Sequence, residues 1–125
     1  MTEEEKKHLT ADTDGLLTYE FIANHIGTED LDIHWLVENM ERVDAQGQFT
    51  ASAARYLNAI DAELYKGEIS DLIASTIEKD REHRYLPTLL TAIYGDDYEQ
   101  HAAELSLSDN NFRRIYKRLH PTSAL

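Results

Sequence analysis

The stretch Thr50–Arg84, TASAARYLNAIDAELYKGEISDLIASTIEKDREHR, decides the fold. Ala53, Tyr56, Leu57, Ile60 and Leu64 recur at three- and four-residue steps. Ile69, Leu72, Ile73, Thr76 and Ile77 repeat the pattern beyond Gly67. Each set gathers apolar side chains on one helical face. The spacing predicts helices over 50–66 and 69–84 meeting at Gly67, a hairpin whose facing stripes form a core. No segment alternates apolar and polar residues for long, so the expected fold is all-α. It is read as a single compact bundle of about six or seven helices built from helical hairpins.

Upstream, Thr18 to Ile26 reads as a helix closed by Gly27. Thr28 or Asp30 can cap the next, which carries Ile33, Leu36, Val37, Met40 and Val43. Downstream, Pro87 suits a first turn, with Leu89, Leu90 and Ile93 behind it and Gly95 closing. Tyr98–Leu105 follows, then a last helix capped by Ser108, with Phe112, Ile115, Tyr116 and Leu119 as its stripe. His120-Pro121 ends it. One domain is expected over 1–125, with 1–9 a polar helix or disordered tail and 121–125 a tail.

Three helix starts share the pattern Gly-x-apolar-Ser/Thr, at Gly15, Gly47 and Gly67. Glycine turns the chain, the apolar residue staples the first turn, and the hydroxyl can accept an orphan amide. The first two also carry an aspartate three residues before the glycine, Asp12 and Asp44. They suggest an internal repeat of helix–turn–helix units.

Composition narrows the function. Twenty-four acidic residues against twelve basic give a formal charge of −12. Such a surface repels nucleic acid and anionic membrane and favours basic partner surfaces. The absence of cysteine excludes disulfides, zinc–thiolate sites, iron–sulfur clusters and thiol catalysis. No apolar run is long enough to span a membrane, and MTEEEKKH lacks the apolar middle of a signal peptide. A cytoplasmic location is expected.

The string Asp12-x-Asp14-Gly15-x-Leu17-Thr18 resembles the middle of an EF-hand calcium loop, and Asp44-x-Gln46-Gly47-x-Phe49-Thr50 a degenerate second one. The resemblance implies paired helix–loop–helix units over residues 2–65. The ligand pattern departs from the family: its first and twelfth positions, an oxygen ligand and a bidentate glutamate, fall on Thr10 and Phe21, or on Arg42 and Ala53. Ile22-Ala23-x-x-Ile26-Gly27 with Ile33 and Leu36 is similar to a DNA-binding helix-turn-helix. Its reading helix would expose Glu29, Asp30, Asp32, His34, Glu38 and Glu41, the wrong sign for phosphates.

The last helix, 110–120, mixes Arg113, Arg114, Lys117 and Arg118 with Tyr116, which could stack on a base. Its cations also suit a helix C-terminus on an acidic body. His34–Glu38, Asp80–His83 and His101–Glu104 are helical pairs of the type that ligate metals, but no full ligand set accompanies them. The run Glu78–Arg84 alternates in sign as a solvated helix face does. No nucleophile elbow or phosphate loop is present, and neither cofactor nor catalysis is expected.

The leading expectation is a non-enzymatic regulatory or adaptor protein. It would bind a basic protein surface through Glu38, Glu41, Asp61, Glu63 and Asp71. The alternatives are a nucleic-acid-associated protein acting through helix 110–120 and a degenerate EF-hand-like module.

Overall fold

The computed structural model describes residues 1–122, so most of the 121–125 tail lies outside the described residues. Among the described residues, eight α-helices and one 3-10 turn follow in order. They are α1 (Glu3–Thr10), α2 (Leu16–His25), α3 (Ile33–Val43) and α4 (Gln48–Asp61). After them come α5 (Lys66–Lys79), α6 (Leu86–Tyr94), the 3-10 turn Tyr98–His101, α7 (Ala102–Ser108) and α8 (Asn110–Leu119). No strand occurs among the described residues. The protein is the all-α bundle that its periodicity predicts.

The hairpin of α4 and α5 lies at its centre. Ala51, Ala53, Ala54 and Leu57 of α4 are buried against Ile69, Leu72, Ile73 and Ile77 of α5. The alanines let the two backbones approach closely, and each buried leucine or isoleucine contributes about 1.5–3 kcal/mol of transfer free energy. Every other helix adds to the same core: Leu9, Ile22, Leu36 and Met40 from one side, Leu89, Leu90, Ala102, Phe112 and Ile115 from the other. The first nine residues are not a disordered tail. Thr2 and Glu5 form a reciprocal capping box that starts α1, and Leu9 anchors it.

The hairpin turns earlier than its glycine suggests. α4 stops at Asp61, whose carboxylate accepts the Leu64 amide (3.0 Å) and whose carbonyl accepts the Tyr65 amide (3.1 Å) across the turn. Gly67 lies inside the first turn of α5, and Gly67–Ser70 is not a helix start. Leu64 lies beyond the end of α4, and both it and Ile60, the last apolar residue of the stripe within the helix, are exposed, at 67% and 50%.

A buried aspartate governs each of three loops. Asp12 Oδ1 accepts the amides of Asp14 and Gly15, and its Oδ2 accepts the amide and hydroxyl of Thr18, at 2.7–3.3 Å. Asp44 likewise accepts the amides of Gln46, Gly47, Phe49 and Thr50 at 2.9–3.1 Å. Asp80 accepts those of Arg84, Tyr85 and Leu86 at 2.7–2.9 Å. In every case the carboxylate follows one helix and satisfies orphan N–H groups at the start of the next. The hydroxyl of Thr18 therefore donates to Asp12 and accepts the Asn39 side-chain amide (3.0 Å) in place of an orphan backbone N–H.

The offsets repeat. Three residues after each aspartate the backbone is left-handed, at Gly15 (φ +107°), Gly47 (+89°) and His83 (+56°). Six residues after it comes the last bonded amide, at Thr18, Thr50 and Leu86. The third copy of the unit thus begins at Asp80, where sequence periodicity alone suggests Gly67. The same aspartate ends α5 at Lys79, so residues 80–84 form a loop and not a charged helix face.

A second contact repeats with it. A cation from a later helix donates to a carbonyl at or near the C-terminus of an earlier one: Arg42 of α3 to Thr10 O (2.9 Å), Lys79 of α5 to Glu41 O, and Arg118 of α8 to Ile77 O (2.6 Å). Helix C-termini carry unpaired carbonyls and the negative end of the dipole, so a cation is the fitting donor.

Two outcomes follow from these loops. His83 is the one non-glycine residue at a left-handed loop position among the described residues. His83→Gly is expected to stabilise the protein by about 0.5–1 kcal/mol in denaturant melts, whereas Gly15→Ala should destabilise it, because a Cβ there meets Met40 Sδ at 3.0 Å and Phe49 at 3.1 Å. Burial works to raise the Asp12 carboxyl's pKa, but the bonds from Thr18, Gly15 and Asp14 outweigh it, and the pKa lies below the ordinary 3.8. Its contribution to stability is complete above the unfolded carboxyl's range and is lost as pH falls through the depressed folded value. Acid titration of wild-type protein should show this loss, and Asp12→Asn should remove that part of the pH dependence.

Candidate functional site

Helices α3 and α5 pack side by side, and their outward edges enclose a groove of about 500 Å³. On α3, Glu38 and Glu41 are three residues apart and project from one face. On α5, Asp71, Ala74, Ser75 and Glu78 follow at three- and four-residue steps, so two small residues sit between two carboxylates. Val37 and Ala74 supply an apolar floor, and Lys79 closes one end.

The electrostatics of the groove are carboxylate-dominated. Partial burial pushes the Glu41 carboxyl up, the nearby Asp71 charge adds to this, and Lys79 opposes it. Burial pushes the Lys79 ammonium down against the attraction of Asp44 and Glu41, while its head donates to Glu41 O. At the rim, His34 Nε2 lies 3.0 Å from Glu38 Oε1. Glu78 is already paired with Arg114 at 3.2 Å.

Three of the acidic residues singled out in the sequence, Glu38, Glu41 and Asp71, therefore meet in one groove. The other two do not. Asp61 and Glu63 lie at the α4–α5 turn, and the Asp61 carboxylate accepts the Leu64 amide. Glu78 and Lys79 join the site although the sequence reading placed Glu78 in a solvated charge run. Their spacing from Asp71 on one helical face was the available signal.

The basic helix is divided by its packing. Arg114 pairs with Glu78, and Arg118 caps the C-terminal end of α5. Arg113 donates to the Asn110 side chain, and with Lys117 it remains exposed. The Tyr116 ring stacks on Phe112 at 5.5 Å and lies 4.4 Å from the His120 ring, so both neighbours along the helix already cover it. Half of the cations of this helix serve the fold.

The two EF-hand-like loops do lie together: Phe49 packs against Gly15, and Thr13, Asp14 and Gln46 line a cleft between them. Their carboxylates are engaged by the backbone. Asp12 and Asp44 each accept four hydrogen bonds from N–H or O–H donors, and Asp14 Oδ1 accepts the Leu16 amide. A calcium ion would have to compete with those donors for the same lone pairs. Of the helical His–carboxylate pairs, His101 faces Asp97 at 3.3 Å instead of Glu104, and Asp80 is taken up by amides. No group of three or more potential ligands converges among the described residues. The helix-turn-helix spacing meets a connection over residues 26–32, longer than the three- or four-residue turn of that motif.

Replacing Asp71 with asparagine removes the like charge that adds to the upward shift at Glu41. The Glu41 carboxyl is expected to titrate at lower pH in Asp71→Asn than in wild type, followed by NMR of its side-chain carbonyl carbon. Comparison with protein-family models, with curated proteins and with solved structures gives no match, so the functional reading rests on the residues of this chain.

Proposed function

We propose that this protein is a non-catalytic binding module that takes a lysine- or arginine-bearing segment of a partner protein in the α3–α5 groove. The observation that carries the reading is the convergence of Glu38, Glu41 and Asp71, from two helices, over the apolar floor of Val37 and Ala74. A basic side chain could lay its aliphatic stem on that floor and direct its head group to the carboxylates. The formal charge of −12 would steer such a partner from a distance, and the groove would set its register. The role is that of a regulator or adaptor, in which binding itself is the activity.

The test is capture from lysate at low and at moderate salt, with and without nuclease, using wild type beside a Glu38→Lys/Asp71→Lys variant and an Arg113→Glu/Lys117→Glu variant. The expected result is a defined protein partner that weakens with salt, survives nuclease and is lost by about tenfold or more in the groove variant alone. Capture that requires nucleic acid and fails in the Arg113/Lys117 variant would overturn this reading in favour of α8.

A further inference from the structure

A second concavity adjoins the groove and carries the opposite charge. The loops after α3 and α5 enclose a cleft of about 520 Å³ lined by Gln46, Lys79, Arg81, Glu82, Arg84 and Tyr85. Lys79 forms a wall of both concavities. Asp80 also borders the cleft, but its carboxylate is engaged by three backbone amides, at Arg84, Tyr85 and Leu86. The lining thus holds three cations, of which Lys79 turns its head group to Glu41 O, and two carboxylates, Asp80 and Glu82, in a chain whose overall charge is −12. Glu82 forms an ion pair with Arg84, and both side chains are well exposed.

We infer that this cleft receives an acidic side chain of the partner whose basic segment fills the groove, so that the recognised segment carries a carboxylate beside its lysines or arginines. The inference rests on the groove reading above and adds the second half of the recognised pattern. A guanidinium matches a carboxylate as a planar fork, and the Glu82–Arg84 pair already presents a carboxylate to this cleft. An incoming carboxylate exchanges with Glu82 at Arg84 and gains Arg81, while Lys79 marks the boundary between the two signs. The backbone of the cleft is held in place by the hydrogen bonds to Asp80, so the two arginines project from a fixed loop.

The experiment measures binding of three synthetic peptides to the whole protein at low salt by fluorescence anisotropy. One peptide is lysine-rich; the other two add a pair of glutamates at one end or the other. Simple attraction to an acidic protein predicts that the glutamates weaken binding. The inference predicts that one of the extended peptides binds about fivefold tighter than its parent, the value of one well-placed exposed ion pair. Arg81→Glu/Arg84→Glu should reverse that gain while leaving the lysine-rich peptide's affinity unreduced, and Glu82→Gln should enlarge it. Weaker binding of both extended peptides to wild type, or a gain that persists in the double arginine variant, overturns the inference alone. Failure of the lysine-rich peptide to bind overturns the groove reading and this inference with it.

Discussion

A buried carboxylate accepting the first amides of the next helix is the interaction on which the structure depends. A helix begins with N–H groups that have no partner within it, and burying them unbonded would cost about 1–3 kcal/mol each. Asp12, Asp44 and Asp80 each meet three or four donors at once, and each is buried. Each buried carboxylate has its oxygens met by N–H or O–H donors, and at Asp12 these bonds outweigh burial and hold the pKa below the ordinary 3.8. The same contact ends one helix, aims the next, and requires a left-handed residue three positions on.

The repeated cation contacts complete this design. Arg42, Lys79 and Arg118 bind the last carbonyls of α1, α3 and α5, so each loop has its amides satisfied by an aspartate and its carbonyls by a side chain from a helix that packs alongside. The Lys79 contact ties α5 to the end of α3, and the two helices also share the core. It is that arrangement which leaves a groove between their outer edges, with Lys79 serving as cap, groove end and cleft wall together.

The acidic character of the chain has a spatial structure that its net charge conceals. Carboxylates are put to different uses: buried and bonded to amides as at Asp80, tied to α8 as at Glu78, paired with a histidine at the rim as at Glu38, or lining the groove as at Asp71. The basic residues divide the same way. Arg118 holds a helix end and Arg114 an ion pair, while Arg81 and Arg84 gather at one loop. Counting charges could not have made these distinctions, because a carboxylate's role is set by which donors its neighbours bring within reach.

The sequence by itself determined that the protein is all-helical, because apolar spacing at three and four residues is a local property of each segment. The stripe Ile69, Leu72, Ile73, Thr76 and Ile77 was legible in this way and is buried as a unit. Two of the three aspartate loops were legible too, through Asp12 with Gly15 and Asp44 with Gly47. The third was hidden because His83 takes the position that glycine holds in the others, and a histidine gives no local sign of a left-handed turn. Only the tertiary structure decided the site. Glu38 and Glu41 are separated from Asp71 by a whole helix of sequence, and nothing local to either segment specifies that they face one another. Their meeting is the consequence of α3 lying against α5, which the core and the Lys79 contact impose.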